Sequence, residues 1–190
     1  KKQEEISLGL IENFKNGKNA LLHAVTGAGK TELSYGVIEY ALSLKKHVGF
    51  ALPRVDIVID LLPRFKQDFK DAKVIGVYGG NHEKLEGDII ILTTHQLYRY
   101  EGYFDLIILD EIDAFPFKNN PELNYFFRKA LIGNYVLMSA TATEKDYSIV
   151  ENDNGKVFLL MERYHHYPLP VPVFIKESLS LIHISEPTRH

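Results

Sequence analysis

Two short stretches of this chain hold residues able to do phosphate chemistry. The first is Asn19-Ala20-Leu21-Leu22-His23-Ala24-Val25-Thr26-Gly27-Ala28-Gly29-Lys30-Thr31-Glu32. An apolar run, Ala20 to Val25, broken at His23, reads as a buried strand. It ends in a loop of small residues that leads into a helical pattern from Glu32 to Leu44. Gly27 and Gly29 permit backbone angles that turn successive N–H groups toward one point, and the helix start adds unpaired N–H groups and the positive end of its dipole. Such a loop cradles phosphate. Thr26, Gly27, Ala28, Gly29, Lys30, Thr31 and Glu32 are the expected nucleotide contacts, with Lys30 on the β and γ phosphates and Thr31 on Mg²⁺. A glycine turn with a solvated lysine is the alternative, disfavoured because Gly-Lys-Thr follows a strand pattern and opens a helix.

The second stretch is Ile107-Ile108-Leu109-Asp110-Glu111-Ile112-Asp113, an apolar strand with carboxylates at its tip. Asp110 is suited to hold Mg²⁺ opposite Thr31, and Glu111 to orient or deprotonate the water that attacks a γ-phosphate. Asp113 belongs to the same element and could tie it to Ser139-Ala140-Thr141 at the end of another apolar strand. Those small hydroxyl residues could report nucleotide state, though a strand end with a helix cap would look the same.

The elements around these stretches repeat one unit. Helical patterns at 1–17, 32–44, 54–69 and 121–131 alternate with apolar strands at 20–25, 47–52, 73–78, 88–94, 104–109, 135–138 and 156–161. Pro63 is expected to kink or break the third helix. The pattern indicates an α/β fold, a mostly parallel sheet with helices on both faces. Ligands in such sheets sit beyond the carboxyl ends of the strands, where every polar motif here falls. Pro53, Arg54, Gly79, Gly80, Thr93, Thr94, His95 and Gln96 lie at three further strand ends. Their N–H groups, hydroxyls and guanidinium could follow a phosphodiester backbone without reading bases. Ordinary turns and caps account equally for any one of them. Tyr98, Tyr100 and Tyr103 suit packing better than base stacking, and His165-His166 lacks the company a metal site needs.

Composition bounds the rest. The 190 residues make one ordinary domain, 45% hydrophobic and 25% charged, with a net charge of −3. That balance excludes a uniformly basic nucleic-acid surface, so any such contact must come from a local patch. There is no cysteine, hence no disulfide or thiolate metal site, which suits a cytoplasmic location. No apolar run is long enough to span a membrane as a helix. The chain opens on Lys1 rather than methionine, so further sequence is expected before it.

The ordered set Ala24–Glu32, Leu52–Asp56, Thr93–Tyr100, Asp110–Phe117 and Ser139–Thr143 resembles the first RecA-like, P-loop motor domain of superfamily two helicases of DEAD/DEAH type. Ala24 stands where the strict phosphate-loop pattern has glycine, as in that superfamily. Gln3, upstream of the loop, matches where many helicases carry an adenine-reading glutamine, and equally suits a frayed helix start. A closer resemblance is to the late competence protein ComFA family. It is carried by Asp110-Glu111-Ile112-Asp113-Ala114-Phe115-Pro116-Phe117, Thr93-Thr94-His95-Gln96-Leu97 and Arg163-Tyr164-His165-His166-Tyr167-Pro168-Leu169-Pro170-Val171-Pro172, and covers roughly residues 1 to 175.

The resemblance implies an ATP-driven single-stranded DNA translocase at the cytoplasmic side of the membrane, drawing transforming DNA into a competent bacterium. It also implies a phosphoribosyltransferase-like partner, an upstream four-cysteine zinc module and a second motor domain. The last two are absent from this chain. On this reading residues 1–164 are motor domain 1, 165–178 a Pro-rich linker and 179–190 a non-native tail set aside from the fold. A second domain would supply an arginine finger, worth about 10³- to 10⁵-fold in rate in related systems. A different helicase, a small-molecule kinase and a non-catalytic nucleotide-gated module are the competing readings. The kinase would call for an acceptor pocket and a basic lid after the sheet; the sequence has no basic lid run, and a kinase leaves the Asp110-Glu111 pair unexplained.

Overall fold

The computed structural model describes residues 2–80, 85–110 and 120–161. Among these residues seven strands form one sheet: β1 (Asn19–Ala24), β2 (Val48–Leu52), β3 (Val74–Val77), β4 (Ile89–Thr93), β5 (Phe104–Asp110), β6 (Leu131–Ser139) and β7 (Gly155–Leu160). Their order is β3-β4-β2-β5-β6-β1-β7, and every pairing between neighbours is parallel. Among the described residues α1 (Lys2–Lys15) precedes β1, and four helices connect strands: α2 (Lys30–Ser43), α3 (Val55–Asp68), α4 (Pro121–Ala130) and α5 (Glu144–Asn152). A 3-10 turn over Thr94–Arg99 follows β4.

The apolar runs are strands covered on both faces, and alternation along each sends side chains to two cores. Leu22, Phe50, Ile91, Leu106 and Ile108 pack with Leu10, Val37 and Phe65 of α1, α2 and α3. Leu21, Ala51, Leu92, Ile107 and Leu109 pack on the other side with Leu97 of the 3-10 turn, Phe127 of α4 and Val150 of α5. Helices on both faces of a parallel sheet is the arrangement the sequence pattern implies.

Two elements settle what the sequence pattern left open or missed. The third helix is continuous from Val55 to Asp68 with Pro63 inside it. Proline removes one N–H and crowds the preceding carbonyl, but burial of Val58 before it and Phe65 after it anchors both halves to the same face. The exposed side of the helix, with Ile59 half out in solvent, leaves room for a displaced carbonyl to find water. The sixth strand is longer than 135–138 and begins directly after α4. Its first half is masked in the sequence by Gly133 and the exposed Ile132. A Cβ at position 133 would lie 2.0 Å from the Asp105 carbonyl oxygen, at a register shift in the β5–β6 pairing, so only glycine fits.

Phe65 is fully buried, with ring centroids of Phe50, Phe69 and Tyr35 at 5.2, 5.3 and 5.4 Å. Phe65→Ala is expected to cost about 3–5 kcal/mol of stability through lost packing and a residual cavity, read by urea unfolding of the chain.

Candidate functional site

The phosphate loop is built by the exit of β1. This strand lies between β6 and β7, and Val25 continues the ladder by donating its N–H to the Leu160 carbonyl at 3.1 Å. The chain then turns, with Gly27 at φ 81° and Gly29 at φ 75°. Both angles suit glycine and strain other residues. Gly29 is the N-cap of α2 and brings no side chain to cap it, so the first N–H groups of the helix face the loop, with that of Glu32 held by its own carboxylate. Lys30 and Thr31 are the first two residues of α2. The sequence places Lys30 where the loop meets the helix, and the fold gives it an anion-attracting position.

Asp110 is the last residue of β5. One strand, β6, separates β5 from β1 in the sheet. Lys30 reaches across, and its Nζ lies 3.6 Å from Asp110 Oδ1, with each side chain 16% exposed. The loop and the carboxylate strand therefore share one crevice at the carboxyl edge of the sheet. Mg²⁺ keeps most of its water and takes one or two protein oxygens beside phosphates. The Thr31 hydroxyl and the Asp110 carboxylate are donors of that kind, so these residues fit the ion. Glu111 and Asp113 lie outside the described residues.

Beside the loop is a cavity of about 570 Å³ lined by Gln3, Glu4, Ser7, Gly27, Gly29, Glu32 and Leu33. Gln3 is held there: its Nε2 donates to the Ala28 carbonyl at 3.0 Å, which leaves its amide oxygen as an acceptor. Glu32 folds back over the start of α2, its Oε2 3.4 Å from where a Cβ on Gly29 would be. It is hydrogen-bonded by Arg64 of α3, a partner the sequence reading did not identify because 32 residues separate the two. Arg64 also lies 3.8 Å from Asp68, whose carboxylate accepts the Tyr35 hydroxyl at 2.8 Å. Burial pushes the Glu32 carboxyl up, but its hydrogen bond to Arg64, its own backbone N–H and the guanidinium charge together hold it below the ordinary value. Burial, then the hydrogen bond to Asp68, push the Tyr35 phenol well above its usual range.

Ser139 ends β6, in register with His23 of β1. Its hydroxyl accepts the Thr141 N–H at 3.0 Å, closing the Ser139-Ala140-Thr141 turn on itself. The remaining polar turns fall together on the other part of the rim. β3, β4 and β2 are consecutive in the sheet, so Gly79-Gly80, Thr94-His95-Gln96 and Pro53-Arg54 follow neighbouring strand ends. Gly79, Gly80, Arg54 and His95 are exposed, whereas Thr93 and Thr94 are buried. Arg54 holds Asp56 through two hydrogen bonds, 3.0 Å from Nε and 2.5 Å from Nη2. The Gln96 amide oxygen is buried without a hydrogen-bond partner.

A family model described as type III restriction enzyme, res subunit, matches residues 1–146. The chain belongs to that family. Within it, the resemblance to competence protein ComFA stands: the chain is 37% identical to ComFA of Bacillus subtilis over 91% of its length and 35% identical to ComFA of Streptococcus pneumoniae over 90%. It spans 38% and 40% of those two relatives' own lengths. Replication restart protein PriA of Bacillus subtilis is 25% identical over 79% of the chain and 21% of that protein. Among solved structures, a hypothetical ATP-dependent RNA helicase from Sulfolobus tokodaii superposes with a TM-score of 0.63 at 22% identity, covering 83% of this chain and 52% of that one. That likeness shows the RecA-like fold. The chain is thus a helicase-family motor domain with ComFA relatives, and among the described residues no helix is long and apolar enough to cross a membrane.

Because the folded-state pKa of Glu32 is depressed from 4.5, its pairing with Arg64 stabilises the fold above that pH and is lost as pH falls through the lower folded value. Glu32→Gln is expected to lower stability by about 0–1 kcal/mol at neutral pH, the range of exposed ion pairs. The difference from the parent should close in acid, as read by urea unfolding across a pH series.

Proposed function

We propose that this domain is the nucleotide-binding half of an ATP-driven single-stranded DNA translocase that serves DNA uptake in natural competence. The observation that carries the reading is the placement of Lys30 against Asp110 across β6, at a helix start whose N-cap is glycine. A triphosphate seated there would take Lys30 on its β and γ oxygens, and Mg²⁺ would sit between Thr31 and Asp110. Glu111, just past the end of β5, is assigned the attacking water. Mg²⁺ supplies charge neutralisation to the phosphates, while this chain's own groups bind, orient and exclude water.

Pro53, Arg54, Gly79, Gly80, Thr93, Thr94, His95 and Gln96 are assigned the DNA strand. In this role Arg54 exchanges Asp56 for a phosphate, and the buried Thr93 and Thr94 act by shaping the turn that presents His95 and its neighbours' N–H groups. Asp113, Ser139, Ala140 and Thr141 are assigned coupling between nucleotide and DNA. The competence role, the cytoplasmic location and a phosphoribosyltransferase-like partner rest on similarity to ComFA. A second motor domain completes the ATP site in the full-length protein, so the present chain alone binds nucleotide weakly and hydrolyses it poorly.

The similarity to PriA favours one second reading, a replication-restart type of helicase. ATPase assays of the full-length protein with single-stranded DNA, duplex or forked DNA and RNA separate the two. Stimulation by single strands above all others is expected, and preferential stimulation by forks or RNA would favour the alternative. Lys30→Ala and Glu111→Gln should each abolish turnover in that protein, with Glu111→Gln retaining ATP binding by fluorescent-nucleotide titration. An unchanged rate in Glu111→Gln would remove its assignment to the water.

A further inference from the structure

His23 interrupts the apolar run of β1 on the face that packs against α5. Its ring makes two hydrogen bonds there. Nε2 lies 3.2 Å from the Ala140 carbonyl oxygen and Nδ1 2.5 Å from the Tyr147 hydroxyl. A carbonyl only accepts, so Nε2 must carry a proton, and in the neutral ring Nδ1 then takes the Tyr147 O–H. Ala140 is the middle of the Ser139-Ala140-Thr141 turn, and Tyr147 belongs to the first turns of α5. That helix opens with Thr143 and Asp146 capping each other: the Thr143 N–H and hydroxyl donate to the Asp146 carboxylate at 2.8 and 2.7 Å. The imidazole is therefore wedged between the strand that leads into the phosphate loop, the turn after β6, and the helix that follows that turn.

The opposite end of β1 is pinned separately. Asn19 donates to the Asp153 carbonyl at 2.7 Å, and its side-chain oxygen accepts the Tyr135 N–H at 3.1 Å. At its exit the backbone of β1 stays paired to β6 through His23 and to β7 through Ala24. There, His23 stands three residues before Thr26 and is bonded to the Ala140 carbonyl.

We propose that His23 is a positioning residue that relays nucleotide occupancy from the phosphate loop to the Ser139–Thr141 turn through its Nε2–H bond to Ala140, with Tyr147 fixing the ring tautomer. The proposal deepens the motor reading above and assigns no contact between His23 and nucleotide or DNA. The relay is a bond rather than a packing contact. It requires a donor at the Nε2 position, which glutamine supplies and phenylalanine does not.

The test uses the full-length protein and two readouts. Amide hydrogen exchange with and without a non-hydrolysable ATP analogue reports whether residues 139–147 respond to nucleotide. The ratio of turnover with and without single-stranded DNA reports coupling in the motor. In the parent, nucleotide should slow exchange across 139–147. His23→Phe should abolish that response and lower the DNA-stimulated ratio about tenfold, within the usual range of coupling between sites, while analogue affinity stays within about twofold. His23→Gln should restore most of both, and Tyr147→Phe, which removes only a hydroxyl, should fall between. Parent-like nucleotide-dependent exchange in both His23→Phe and Tyr147→Phe would overturn the proposal, as would His23→Gln behaving like His23→Phe. If His23→Phe does not fold, parent-like nucleotide-dependent exchange in Tyr147→Phe, or loss of the response in His23→Gln, overturns the proposal. A parent enzyme without DNA stimulation would count against the motor reading alone, since the exchange readout still decides the role of His23.

Discussion

Lys30 occupies an awkward place. It opens a helix, where the backbone already presents positive partial charge, and its side chain is mostly withdrawn from water. An ammonium group so placed needs an anion nearby. In this molecule Asp110 supplies it from the tip of β5 at 3.6 Å. That requirement ties two segments 80 residues apart in sequence to one crevice. Burial makes Lys30 dependent on its partner, since removing the Asp110 carboxylate would leave the ammonium group withdrawn from water without that counter-charge. A triphosphate bound as proposed would offer Lys30 new oxygen partners in exchange for Asp110.

The order of strands gives that crevice its surroundings. β5, β6, β1 and β7 lie on one side of the sheet and β2, β4 and β3 on the other. The loop, Asp110 and Ser139 consequently crowd one length of rim, and the three remaining polar turns share the adjoining length. The junction is the β2–β5 pairing, where Ala51 lies opposite Leu109, so Pro53-Arg54 emerges beside Asp110. A sheet of this order puts the proposed nucleotide site and the proposed DNA track on adjoining lengths of one rim.

The fold was legible because its physics is local and repeated. Continuous apolar runs of strand length, each followed by an amphipathic stretch, have few ways to bury themselves other than a parallel sheet covered on both faces. The same locality left open whether Pro63 would kink or break its helix, which Val58 and Phe65, docking on either side of it, keep continuous. It also hid the first half of β6, where Gly133 answers to the Asp105 carbonyl and not to its own neighbours.

What the sequence determined by itself was the chemistry on offer: a glycine loop opening a helix with Lys30 and Thr31, and an apolar strand delivering Asp110. Backbone preference and side-chain type act over a few residues, so such units can be read without knowing where they go. The tertiary structure alone decided which groups meet. It brought Lys30 to Asp110 across β6, Arg64 to Glu32 between two helices, the Gln3 amide to the Ala28 carbonyl, and His23 to Ala140 and Tyr147. Each of these contacts joins residues at least 25 positions apart, and their distances depend on the packing of the whole sheet, which no local pattern encodes.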